Sequence, residues 1–113
     1  MPDDCIFCKI ANKTIPVPPV YEDDEFFAFN DLNPQAPVHV LLVPKTHFTD
    51  ILDIDDAALL GRGLKAVGAV AQALGLSTNG FRVVTNTGSY GGQSVFHLHF
   101  HLLGGRPMGW PPG

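Results

Sequence analysis

The sequence is short of positive charge: seven Lys and Arg stand against eleven Asp and Glu in 113 residues, a formal net charge of -4. Nucleic-acid backbones are gripped by rows of Lys and Arg that displace counterions, so this balance argues against a nucleic-acid partner. Any phosphate that binds must be held by imidazoles, backbone N–H groups and hydroxyls. Long apolar runs are absent too, and none approaches the roughly 20 residues of a membrane-spanning helix. The opening Met1-Pro2-Asp3-Asp4 is acidic, with neither the basic stretch nor the apolar stretch of a secretory leader, so the expected location is cytoplasmic. Cysteine occurs only twice, as Cys5 and Cys8. Two cysteines cannot build a disulfide framework, and a Cys-x-x-Cys pair in a reducing compartment points to a metal or to free thiols.

What is present is ordinary for a globular chain. With 45% hydrophobic residues and no internal repeat, the expectation is a single domain over 1–113, including a tail over 104–113. Cys5 to Lys13 reads as a short helix stopped by the prolines at 16, 18 and 19. Val20 to Glu22 and Glu25 to Phe29 read as short strands, and Asn30 to Pro37 as a loop. Val38 to Val43 is apolar at both alternations apart from His39, the pattern of a strand buried on both sides. A main helix is predicted from about Asp55 to Leu74, with Leu60, Leu64, Val67, Ala71 and Leu74 on its buried stripe. Asp53 or Asp55 would cap its start and Gly75 its end. Its three internal glycines, at 61, 63 and 68, suggest close approach to a sheet. Phe81 to Thr85 and Phe96 to Leu103 complete about five strands. The fold class is α+β, an antiparallel sheet with one main helix and a short N-terminal helix, covered on one face.

The chemistry lies in the last strand. Side chains alternate faces with period two, so His97, His99 and His101 share one face while Phe96, Leu98, Phe100 and Leu102 pack under the helix. Same-face neighbours lie about 6.6 Å apart, enough to line a groove the length of a phosphate-ribose unit. A single such histidine reads as a half-buried, hydrogen-bonded residue. A row of three can supply nucleophile, general acid and phosphate donor together. Just upstream, Asn86 to Ser94 is Gly-rich, the composition of a hairpin turn or of a loop whose N–H groups face an anion.

His97-x-His99-x-His101-Leu102-Leu103 resembles the signature of the histidine-triad family. Cys5-Ile6-Phe7, Asp31 to Pro37, His39, Pro44-Lys45-Thr46-His47, Gly91-Gly92-Gln93-Ser94 and Trp110-Pro111-Pro112-Gly113 are similar to its Hint branch, so the likeness spans nearly the whole chain. The resemblance implies a HIT-like fold and a purine nucleoside phosphoramidase that cleaves the P–N bond of aminoacyl- or lysyl-AMP conjugates without a catalytic cofactor. It makes His99 the nucleophile, with His101 and His39 as its polar partners. Ser94 and Gln93 would contact phosphate and leaving group, Asn86 and Gly92 would hold the phosphate side, and Asp31 would bond the ribose hydroxyls. Phe7, Ile10, Phe29 and Leu32 would form a purine slot. A homodimer is implied as well, with Trp110 in the tail as an interface anchor.

Two positions depart from the branch: Asn30 stands where many Hint proteins carry His, and Gly109 replaces a more polar residue. His101 is not the Gln of the uridylyltransferase branch, which favours hydrolysis over sugar-nucleotide transfer. Cys5, Cys8, His47 and His97 together offer four soft ligands for a structural zinc ion. Other readings stay open at this stage. His97, His99 and His101 could instead hold a catalytic metal, Asp31 could be a turn cap, and Phe7 and Phe29 ordinary core. The pocket could serve a non-catalytic purine-nucleotide-binding or interaction module, or a dinucleoside polyphosphate hydrolase.

Overall fold

The computed structural model describes residues 4–113. In chain order the elements are α1 (Ile6–Ala11), β1 (Tyr21–Glu22), β2 (Phe26–Asn30), β3 (Val38–Pro44), α2 (Ala57–Ala73), β4 (Phe81–Val84) and β5 (Phe100–Gly104). The strands form one antiparallel sheet in the order β1-β2-β3-β5-β4, so the fold class is α+β as expected.

Strand β3 is central, and its double-sided apolar pattern has a counterpart on each face of the sheet. Val40 and Leu42 join Phe26, Ala28, Phe100 and Leu102 beneath α2. Leu41 and Val43 join Phe27 and Phe29 beneath Phe7, Ile10 and Ala11 of α1. The expectation of a sheet covered on one face is therefore corrected. The run Phe26-Phe27-Ala28-Phe29 is apolar at every position, and a second cover must shield its outer half. The short helix supplies it, and it ends at Asn12, with Lys13 in the left-handed region (φ 68°), before the prolines are reached.

Two sequence expectations about α2 also shift. Its cap is Asp56, whose carboxylate accepts the Leu59 N–H at 3.0 Å, while Asp53 instead accepts the Thr49 N–H at 2.8 Å. The buried stripe is Leu59, Gly63, Ala66, Val67, Val70 and Ala71, whereas Leu64 and Leu74 face solvent. Small residues, not the bulkiest ones, face the sheet because they let the helix come close. Only Gly63 of the three glycines is required for this: a Cβ there would lie 2.9 Å from the Phe26 ring, whereas Gly61 and Gly68 have open space.

The last strand is shorter than expected. Pairing begins at Phe100, so His97 and His99 precede the ladder, and Phe96 is exposed rather than packed under α2. Other bonds pin this segment: the Leu98 N–H donates to the Phe48 carbonyl at 2.6 Å, and the Thr85 hydroxyl donates to the His99 carbonyl at 2.9 Å. Leu98 still reaches the α2 core, which leaves the flanking histidines on the α1 side. Among the described residues no helix is long and apolar enough to cross a membrane.

The glycine contrast is testable by denaturant unfolding. Gly68→Ala should raise stability by about 0.5–1 kcal/mol through helix propensity. Gly63→Ala should lower it by on the order of 1 kcal/mol, because overpacking against Phe26 outweighs the same gain. Equal effects at the two positions would refute the close approach.

Candidate functional site

The site is built where β3 and β5 run side by side on the α1 face. The register pairs Leu41 with His101 and His39 with Leu103, so His39 and His101 lie diagonally on that face, with ring centroids 5.2 Å apart. His99 follows at 5.0 Å from His101, and the Phe7 ring meets His99 edge-on at the same separation. Phe7 also contacts Phe29 at 5.6 Å, so three of the residues expected around a base, with Ile10, are adjacent in one cluster. Leu32 stands apart, entirely in solvent at the edge of the following loop.

Carbonyl oxygens can only accept and backbone N–H groups can only donate, and this places the proton on each imidazole. His99 Nδ1 lies 2.7 Å from the His97 carbonyl, so Nδ1 carries the proton and Nε2 carries a lone pair. His39 Nδ1 accepts the Gln35 N–H at 3.0 Å, so its proton is on Nε2, which donates to His101 Nδ1 at 2.9 Å. His101 therefore keeps its own proton on Nε2, as a free donor. Asp31 Oδ2 sits 3.4 Å from His39 Nε2, and Asp31 Oδ1 accepts the Asn33 N–H at 2.8 Å. The turn-cap reading of Asp31 is thus realised together with its place beside the histidines.

Burial favours the neutral form of His99 and His101. Desolvation pushes His99 below the usual imidazole range, opposed by its bond to the His97 carbonyl and by the charge of Asp31. Desolvation, followed by the nearness of His99 and His39, lowers His101 to about 4. Among the described residues no Lys or Arg bonds to the row, and Lys13, Lys45 and Arg62 are engaged with Glu22 and Glu25.

The third histidine turns elsewhere. His97 donates Nε2–H to the Pro44 carbonyl at 2.8 Å, which frees the Nδ1 lone pair. That nitrogen lies 3.3 Å from Cys5 Sγ, 3.5 Å from Cys8 Sγ and 3.1 Å from His47 Nδ1, while Cys8 Sγ and His47 Nδ1 are 3.3 Å apart. Tetrahedral zinc with thiolate and imidazole ligands has ligand-to-ligand edges of about 3.3–3.8 Å, so the four atoms already approximate a metal's first coordination sphere. The Cys8 N–H donates to Cys5 Sγ, a bond that supports a thiolate. Burial first, then Cys5, pushes the Cys8 thiol up to about 11, so the thiol holds its proton unless a bound cation displaces it. The possible metal on His97, His99 and His101 is excluded by this geometry, since His97 faces the cysteines.

Asp31, His39 and His101 also offer three ligand atoms within 4.8 Å. Here the tautomers oppose a metal: His39 Nδ1 already accepts an N–H, so Nε2 cannot lose its proton to a cation without leaving the ring anionic. This group is a hydrogen-bond relay, and the cysteine cluster is the site fit for a metal.

The upstream loop behaves as a turn. Gly92 N–H donates to the Ser89 carbonyl and Gln93 N–H to the Gly88 carbonyl, so neither is free for an anion. Asn86 Nδ2 donates to the Gly91 carbonyl at 2.6 Å. The Gln93 side chain is buried, accepting the Gly88 N–H and donating to the Thr49 and Val95 carbonyls, which braces the loop from within. Ser94 is exposed and lines, with Cys5, His47, Thr49 and Phe96, an open depression of about 450 Å³ beside the cysteine cluster. Among the described residues it makes no side-chain hydrogen bond to the imidazoles. Sequence reasoning assigned no role to Gln35, Pro44 or Thr85, whose contributions are main-chain groups or a single hydroxyl and carry no residue-type signature.

A neutral buried imidazole ties stability to pH. His101 titrates near 6.5 when unfolded and near 4 when folded, so its contribution is complete above pH 6.5 and is lost as pH falls toward 4. Urea unfolding should therefore show stability dropping between pH 6.5 and 5, by about 1 kcal/mol from this group after allowance for partial exposure. His101→Gln should flatten the drop by that amount, and an unchanged slope would remove His101 from the account.

Comparison with known proteins finds relatives over nearly the whole chain. The chain is 52% identical, over 115 aligned positions that cover both chains completely, to an uncharacterized HIT-like protein of Synechococcus elongatus. A 14 kDa zinc-binding protein of Brassica juncea is 49% identical over 114 positions, covering 97% of this chain and all of the relative. The crystal structure of a HIT family hydrolase from Legionella pneumophila superposes with a TM-score of 0.94 at 51% identity, covering 97% of this chain and 100% of that one. The HIT domain profile matches residues 12–108, and with it the alternating histidines find their context: the chain belongs to the HIT domain family.

Proposed function

We propose that this chain hydrolyses the P–N bond of purine nucleoside phosphoramidates through a covalent nucleotidyl intermediate on His99. The hydrogen bond from His99 Nδ1–H to the His97 carbonyl carries the proposal, because it leaves the Nε2 lone pair of a neutral ring as the attacking atom. The solved relative described as a HIT family hydrolase supports the hydrolase class. In the first step Nε2 bonds to phosphorus, the P–N bond breaks and the amine leaves with the Ser94 hydroxyl proton. In the second, water attacks phosphorus, the Nε2–P bond breaks to restore the lone pair, and the proton released by the water returns to Ser94. The free Nε2–H of His101 stabilises charge on the phosphate oxygens. Asp31 accepts the ribose hydroxyls, and Phe7, Ile10 and Phe29 hold the base.

Turnover of lysyl-AMP analogues tests this directly. His99→Ala should abolish turnover while AMP still binds, and Ser94→Ala should slow amine substrates more than substrates with good leaving groups. Loss of a single charge-stabilising donor should cost about 10²–10³ in rate. Acid-labile nucleotide should be trapped on His99 alone, and an adduct on His97 or His101 would sink the assignment.

We also infer a structural zinc ion on Cys5, Cys8, His47 and His97, supported by the spacing of the four ligand atoms and by the zinc-binding relative. A homodimer is supported by the unpaired edge of β4, with Phe81 and Val83 exposed, and by Trp110, 84% exposed on the tail. Native mass spectrometry of protein prepared without chelator checks both: a dimer with one zinc per chain is expected. A metal-free species counts against the site, and a monomer at micromolar concentration against the dimer.

A further inference from the structure

The tail turns back onto the loop that carries the histidine relay. Gly105 adopts φ 88° where its α-carbon passes Pro37; a Cβ there would lie 2.8 Å from Pro37 Cβ. This turn sends Arg106 toward Gln35, whose carbonyl accepts Arg106 Nη2–H at 2.9 Å and Nε–H at 3.3 Å, while Nη1–H donates to the Pro107 carbonyl at 3.1 Å. Gln35 in turn donates its N–H to His39 Nδ1 at 3.0 Å, and His39 Nε2–H reaches His101 Nδ1 at 2.9 Å. Hydrogen bonds on either side of the Gln35 main chain therefore join an exposed tail residue to the buried relay.

We propose that Arg106 is a positioning residue of the active site: by holding the Gln35 carbonyl with two prongs it aims the Gln35 N–H at His39, and so keeps the His101 proton on Nε2. The alternative arrangement shows why a clamp is needed. Without the N–H donor at Nδ1, neutral His39 is free to carry its proton on either nitrogen. With the proton on Nδ1, the lone pair of His39 Nε2 would face His101 Nδ1, and His101 would protonate there and present an acceptor to the substrate. An acceptor facing a phosphate oxygen repels it, so a proton shift far from the groove reverses the sign of the contact. Gln35 lies in an exposed loop, and among the described residues its side chain bonds only locally, to the Asn33 carbonyl at 3.0 Å, while Arg106 restrains its carbonyl from 71 positions away. Arg suits this role better than Lys, since its planar fork meets one oxygen from two directions.

This inference rests on the reading of His101 as a phosphate donor, and its first readout does not require turnover. Long-range nitrogen–proton NMR of the ligand-free protein should show His39 and His101 both protonated at Nε2. In Arg106→Ala both should become tautomer mixtures, and kcat for a phosphoramidate should fall about 10-fold or more with KM moving less than about threefold, the scale of outer-shell changes. Arg106→Lys should recover part of the loss. Gly105→Ala, which keeps Arg106 but presses on Pro37, should reproduce the tautomer mixing. If folded Arg106→Ala keeps wild-type tautomers and wild-type kcat, the proposal is overturned. If the wild type shows no phosphoramidase turnover while the tautomers shift in the variant, the functional reading falls and the role of Arg106 stands.

Discussion

The 2.7 Å hydrogen bond from His99 Nδ1–H to the His97 carbonyl sets the terms for the rest of the site. A neutral imidazole has one proton for two nitrogens, and fixing it on one side defines the other as a base. The same residue that accepts this bond contributes its own ring to the cysteine cluster, with its Nε2–H on the Pro44 carbonyl. Main chain and side chain of His97 thus serve two neighbouring centres. Thr85 holds the His99 carbonyl and Phe48 holds the Leu98 N–H, so a segment outside the strand ladder is nevertheless immobilised at every residue that matters.

Two clusters of similar composition follow from this rule and diverge in use. In one, a carbonyl takes the outer proton of His97 and turns a lone pair inward toward two sulfurs and a second nitrogen. In the other, a backbone N–H occupies the outer nitrogen of His39 and turns a proton inward. Ligand counting alone does not separate them, and the identity of one backbone partner does. In this acidic chain the donor that the relay presents comes from an oriented neutral ring, whose strength depends on geometry and burial rather than on net charge.

Much of this was legible in the sequence. The alternating histidines, the double-sided β3 and the four soft ligands are residue-type signals, and the structure brings their bearers together. The α2 face differs from the expected stripe at Leu64 and Leu74, which are exposed, while Leu60, Val67 and Ala71 do pack inward, because small residues permit the helix's contact with the sheet. The cap moved to Asp56 because several acidic residues in a row offer the same chemistry and only the chain path chooses among them. The resemblance places Gln93 at the phosphate and leaving group, yet three backbone partners turn its side chain inward. Arg106 and Gln35 stand 71 positions apart, joined by a carbonyl that every residue possesses, so no pattern could announce them.

The register of β3 on β5 carries a consequence for how such a protein fails. Val40 and Leu42 face one core while His39 and Leu41 face the other, and Phe100 and His101 divide in the same way. A slip by a single residue would drive His101 into the apolar layer under α2 and lift Phe100 out of it. Buried imidazole without partners is costly, and a phenyl ring in the place of His101 could not accept the His39 Nε2–H. A misregistered chain would therefore be expelled by its own core before it could persist as a folded but inert molecule. Assembly of the reactive face and closure of the hydrophobic layer are one event, and the chain has no cheap way to complete the second without the first.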